Sequence, residues 1–183
     1  SSSATPTRTT ELDATVTWDV VSVLDALDSW PVDNVAAAII TTDGVVAHGD
    51  TAQVFELASV TKLLVAEAIL VPVEEGAVEL DDAAGPPGAT IAHLLAHASG
   101  LAFDTREVEA GVGEKRIYSS AGFEVLAETV EAATEIAFAD YLAEGVCAPL
   151  GLSSTTLDGP AGHGARSSVD DLAVFAAEML QPR

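Results

Sequence analysis

Phe55-Glu56-Leu57-Ala58-Ser59-Val60-Thr61-Lys62-Leu63-Leu64-Val65-Ala66 sets a serine and a lysine three residues apart at the head of an apolar run. Positions i and i+3 are neighbours on a helix surface, so one turn would bring the Ser59 hydroxyl and the Lys62 amine together. A serine hydroxyl is a poor nucleophile until a base takes its proton, and a neutral amine at that distance is such a base. The run continues through Ala68, Ile69, Leu70 and Val71 and is apolar on nearly every face, which predicts a central buried helix over residues 59–75, with Gly76 as its stop and Pro72 as a kink or early end. Burial disfavours the charged form of an amine, so the mouth of such a helix suits a lysine base. The motif alone is weak. The 13 serines and two lysines of this chain would supply an S-x-x-K by chance about one time in seven, and an N-cap serine followed by a surface lysine is the plain alternative.

The chain of 183 residues is long enough for one domain with a sizeable core. Apolar content of 49% excludes a disordered chain, and with only 5% aromatics the core must be built from Ala, Val and Leu. Seven basic residues stand against 29 acidic ones, for a net charge of −22. With no basic footprint to neutralise phosphates, the charge disfavours nucleic acid and anionic membranes as partners, and neither is expected. The acids are spread along the chain rather than clustered, which favours a generally acidic, salt-tolerant surface over a single binding face for cations or basic partners. Cys147 is the lone cysteine, so no intrachain disulfide forms; between Val146 and Ala148 it reads as a buried, inert thiol. No stretch is long and apolar enough for a transmembrane helix. Residues 1–10 are rich in Ser and Thr without an apolar core, which predicts a flexible arm over residues 1–15 and no intact signal peptide; a processed terminus stays compatible, and the compartment stays open.

Along the rest, a single domain over residues 16–183 is expected. Residues 18–30 read as an amphipathic helix with Val20, Val21, Leu24, Leu27 and Trp30 on one side, stopped by Pro31. Val35-Ala36-Ala37-Ala38-Ile39-Ile40 reads as a strand, turned at Asp43-Gly44 into Val45-Val46-Ala47-His48. Thr90 caps a short helix over 91–97, residues 103–114 form an exposed loop suited to substrate selectivity, and 120–134 and 136–146 read as helices. Pro149-Leu150-Gly151-Leu152 is a turn, and Ser168 caps a last helix over 169–180 with Asp170 and Asp171 near its positive end. Two strands against some six helices is an imbalance, since an isolated hairpin is marginal.

Two further segments join the first: Ile91-Ala92-His93-Leu94-Leu95-Ala96-His97-Ala98-Ser99-Gly100-Leu101, and Ile117-Tyr118-Ser119-Ser120-Ala121-Gly122-Phe123-Glu124, which leads on to Ala148-Pro149-Leu150-Gly151-Leu152. In order and spacing, residues 34–180 resemble the serine β-lactamase and penicillin-binding-protein superfamily, within it the class C β-lactamases, D-aminopeptidases and related esterases. The resemblance implies an α+β fold in which helices pack on an antiparallel sheet. It implies a serine hydrolase that forms a covalent acyl-enzyme with a small ester, amide or β-lactam and needs no metal or cofactor. Ser59 then matches the nucleophile, Lys62 the lysine that helps deprotonate it, and Tyr118 the tyrosine that shares the base role and protonates the leaving group. The backbone N–H of Ser59 is expected as one oxyanion donor. Ser120 stands where the family has the asparagine of its Y-x-N motif; a serine is shorter and offers no amide N–H to a substrate carbonyl, which bears more on β-lactams and peptides than on simple esters. The family's third motif, K-T-G or H-x-G, lies on a strand beyond the region present, as do three of its five sheet strands. An open sheet edge would invite a second copy or a complementing chain.

Several residues are expected to stand outside the chemistry. His93 and His97 have metal-ligand spacing but no third ligand and are expected to pack or cap. Tyr141 is expected to pack, and His48 and His163 to face solvent. A strongly negative field would hold protons on the bases, so salt is expected to stimulate the reaction. The alternatives are a non-catalytic binding relative of the same fold, an inactive piece that needs a complementing chain, and an acidic structural protein.

Overall fold

The computed structural model describes residues 20–182, so the arm expected over residues 1–15 and the start of the first helix lie outside the described residues. The fold is α+β. Helix α1 (Val20–Asp25) passes directly into a 3-10 turn, Ala26–Ser29, so the second half of the expected helix is wound as a 3-10 turn. Leu24 is buried, but Trp30 is 56% exposed and does not share its face. The hairpin forms as expected from β1 (Ala36–Thr41) and β2 (Gly44–Gly49), in antiparallel register with Ile39 opposite Val46. Thr41 pairs with Gly44, so the two turn residues are Thr42 and Asp43 and Gly44 already belongs to the strand.

The apolar run becomes α2 (Thr61–Glu74), which starts two residues later than the spacing suggests. Pro72 lies inside this helix without ending it; its carbonyl accepts the N–H groups of Ala77 and Val78, and Gly76 at φ 74° turns the chain away. Leu64, Val65, Ala68 and Ile69 of α2 are fully buried. They pack against Leu126 and Val130 of α4 (Ser120–Thr134), Ile91 and Leu94 of α3 (Ile91–Leu95), and Leu142 of α5 (Phe138–Leu142). At roughly 1.5–3 kcal/mol per buried aliphatic side chain, this cluster is the main source of stability, and α2 runs through its middle. Two ends follow the sequence closely: Thr90 and Ser119 accept the N–H groups of His93 and Gly122 as N-caps of α3 and α4. The helix expected over 136–146 is instead α5, a π-helical turn at Ala143–Cys147 and a short α6 (Ala148–Leu150), closed by Gly151 at φ 72°.

Three strands were not expected. Short β3 (Val54–Glu56), β4 (Thr156–Leu157) and β5 (Ala165–Ser168) form a separate antiparallel sheet in the order β3-β5-β4, with Phe55 opposite Ser167. They are two to four residues long, and β3 meets β5 across more than 100 positions of sequence, so no local pattern marks them. Helix α7 (Val169–Leu180), capped by Ser168 as expected, follows β5 and packs on β1. Among the described residues no helix is long and apolar enough to cross a membrane.

Candidate active site

Ser59 lies on a single 3-10 turn, Ala58–Val60, between β3 and α2. Ala165 of β5 clips this turn on both sides. Its carbonyl accepts the Leu57 N–H at 2.9 Å, and its own N–H donates to Thr61 Oγ1, buried at the helix start, at 3.0 Å. Ala58, just before the serine, has φ 45°, a left-handed conformation that costs a residue with a Cβ about 1–2 kcal/mol. The clip holds the turn in this form and leaves the Ser59 side chain exposed.

Lys62, in the first turn of α2, is only 5% exposed. Its Nζ donates to the Gly162 carbonyl at 2.7 Å and to Ser120 Oγ at 3.0 Å. Gly162 fits there because it lacks a side chain: a Cβ on it would stand 2.8 Å from the Ser120 Cβ. The Lys62 Nζ also lies 4.6 Å from the centroid of the Tyr118 ring.

Tyr118 occupies the loop before α4, with its ring between those of His97 at 4.6 Å and Phe103 at 6.0 Å. Burial pushes its phenol toward the neutral form. Against this, the Ser59 and Lys62 side chains reach its oxygen, and the charges of Lys62 and Arg116 add to their effect. The combined result holds Tyr118 below the ordinary tyrosine range. The expectation that a negative field keeps its proton on is therefore reversed locally, first by Ser59 and then by Lys62 and Arg116.

The four residues singled out in the sequence, Ser59, Lys62, Tyr118 and Ser120, come from two distant segments and converge here. The Ser120 hydroxyl is buried against Lys62 rather than turned to the open side. Sequence reasoning missed Gly162, Arg116 and Phe103, and assigned His97 to packing or capping. The one available signal was the glycine density of Gly159-Pro160-Ala161-Gly162-His163-Gly164, which makes close backbone approach possible. Beside the serine turn opens a cleft of about 510 Å³ lined by Glu56, Ala58, Asp158, His163 and Arg166, which carries charges of both signs.

The remaining candidates have other partners. His93 Nδ1 meets Thr90 Oγ1 at 2.8 Å, and His97 Nδ1 accepts the Ser119 N–H at 3.1 Å. His48 does not face solvent freely: it is half-buried and pairs with Asp28 at 2.7 Å, joining β2 to the turn after α1. Tyr141 is buried, donates to Glu75 and is pushed up to about 12, mainly by burial. Cys147 is buried and pushed up to about 11, first by burial and then by Asp171, which agrees with an inert thiol.

Fold and site together define a serine β-lactamase-like protein. The β-lactamase family matches residues 31–182, and the chain belongs to that family. A β-lactamase from Mycobacterium bovis is 55% identical over 87% of this chain, with a TM-score of 0.85. A penicillin-binding-protein homologue from Pyrococcus abyssi, an octamer, shares 21% identity over 78% of the chain at a TM-score of 0.68. A mutant simvastatin synthase from Aspergillus terreus shares 20% identity over 86% at 0.74. These last two show the fold alone. The chain spans 60%, 51% and 63% of the lengths of these three structures. Among curated proteins, none matches.

Proposed function

We propose that this chain carries the nucleophile and bases of a serine hydrolase that forms a covalent acyl-enzyme with a small ester or amide. The observation that supports this best is the linked set of side chains Ser59, Tyr118, Lys62 and Ser120, in which the tyrosine is held below its ordinary range by its neighbours. Tyr118 takes the Ser59 proton as the hydroxyl oxygen bonds to the substrate carbonyl carbon and the carbonyl electron pair moves to oxygen. Lys62 stabilises the negative charge that Tyr118 carries before it takes the proton. Collapse of the tetrahedral intermediate expels an alcohol or amine, which leaves with the proton held by Tyr118. Water then attacks the acyl-serine by the same route and releases the acid. The Ser59 N–H supplies one oxyanion donor, a contact whose loss costs about a hundred- to a thousand-fold in rate.

Intact mass after exposure to a fluorophosphonate or a fluorescent penicillin tests this. An adduct on wild type that is absent from Ser59→Ala is expected, and Tyr118→Phe and Lys62→Met should label about a hundred- to ten-thousand-fold more slowly. Absence of any adduct at both low and molar salt would sink the enzyme reading. It would favour the second reading, a binding relative or a piece that works with another chain, which draws on one feature. Leu63, Leu70, Met179 and Leu180 are exposed around an apolar cleft of about 560 Å³ between α2, α7 and β1. Light scattering at low and high salt would then show whether that face brings copies together.

A further inference from the structure

We infer that His97 is a positioning residue for Tyr118: it clamps the tyrosine's backbone from both sides and supports its ring from below. The inference deepens the proposed function, since it rests on Tyr118 acting as the base.

Helix α3 ends at Leu95, and His97 turns the chain back at φ 58°, a left-handed conformation in which histidine is enriched among non-glycine residues. From that turn it makes three contacts with one short segment. Its carbonyl accepts the Ile117 N–H at 2.8 Å. Its Nδ1 accepts the Ser119 N–H at 3.1 Å. Its ring lies 4.6 Å from the Tyr118 ring and 5.3 Å from that of Phe123 on α4. The residues before and after Tyr118 thus hang on one histidine, and the side chain between them rests on its imidazole. Simple packing would need none of this pairing, and a metal ligand could not offer Nδ1 to Ser119.

The geometry dictates a protonation state. An acceptor at Nδ1 requires the neutral ring with its proton on Nε2. A protonated ring would turn a second donor on the Ser119 N–H and set a cation beside Lys62 and Arg116, the charged groups that face it across the Tyr118 loop. The Tyr118 oxygen must sit where both Ser59 and Lys62 can reach it, and a displacement of about 1 Å at a reacting group can cost on the order of a hundred-fold in rate.

Two measurements test this, and neither depends on turnover. In wild-type protein labelled with ¹⁵N, the His97 ring at neutral pH should show the Nε2–H tautomer, with Nδ1 shifted as a hydrogen-bond acceptor; a proton on Nδ1 overturns the clamp with no variant needed. In a Tyr141→Phe background, tyrosinate absorbance follows Tyr118 alone. His97→Asn keeps the left-handed turn without the ring, and His97→Phe keeps a ring without the acceptor. Both should move the Tyr118 titration toward that of a free tyrosine and slow Ser59 labelling about ten- to a hundred-fold. Folded variants with an unchanged tyrosine titration would overturn the proposal. If wild type takes no label, the hydrolase reading fails, while the tautomer and the titration still decide the role of His97.

Discussion

Gly162 offers the lysine a carbonyl only because nothing projects from its own Cα. An added Cβ would stand 2.8 Å from the Ser120 Cβ and 2.9 Å from its carbonyl, closer than packed atoms approach. Gly162→Ala must therefore push this loop away from Ser120 and draw the acceptor off Lys62 Nζ. We expect acylation to fall at least about ten-fold, and because Gly162 is buried and follows Ala161 of the core cluster, the melting temperature should fall as well; a labelling rate equal to wild type would show that this carbonyl does not matter. His97 gives a second residue-scale expectation. Burial, then the Arg116 and Lys62 charges, hold it down to about 4 against an ordinary 6.5. Because the folded state keeps it neutral, the unfolded chain binds the extra proton, so stability falls as pH drops from 6.5 towards 4. The loss is of the order of 1–3 kcal/mol and should be absent in His97→Phe, measured by denaturant titration across that window. How far the sequence could be read at this scale differs by residue. Ser59, Lys62 and Tyr118 announce themselves by type and spacing. Gly162 and His97 act through a backbone carbonyl and a ring face, which a string of letters does not display.

Helix ends were legible and strand partners were not, for a physical reason. Ser119 and Ser168 each satisfy an N–H three residues ahead, a local bond whose signature is written in adjacent positions. β3 and β5 are joined only across most of the chain, so their few residues show no alternation that could identify them. Yet that sheet places the serine. Ala165 holds the Ser59 turn through Leu57 and Thr61, on either side of Ser59 and the left-handed Ala58. Thr61→Val removes the acceptor at a fully buried position and strands the Ala165 N–H, at a cost of about 1–3 kcal/mol and a melting temperature lower by roughly 3–10 °C. Thr61→Ser keeps the acceptor and should recover most of the loss. Equal melting of the two variants would show that the bond to Ala165 contributes nothing.

At the scale of the whole molecule, a net charge of −22 surrounds a site that holds Lys62 and Arg116 close to one tyrosine. Salt acts on the two fields over different distances. The acids spread over the surface act at long range and are screened once the Debye length falls to about 10 Å, near 0.1 M. Lys62, at 4.6 Å from the Tyr118 ring and buried, survives that screening, whereas Arg116, exposed at 6.0 Å, weakens only toward molar salt, where the length is about 3 Å. Stability should rise with salt throughout, as self-repulsion is screened. Acylation should behave otherwise. From low salt to about 0.2 M, the rising limb of its pH profile should move to lower pH, since the distant acids no longer oppose Tyr118 ionisation. Toward molar salt the gain should level off or reverse as Arg116 is screened, and Arg116→Gln should abolish that second phase. Labelling rates across pH at three salt concentrations read both phases. A limb that stays fixed, or that moves to higher pH from the first addition of salt, would show that the distant acids do not reach the site.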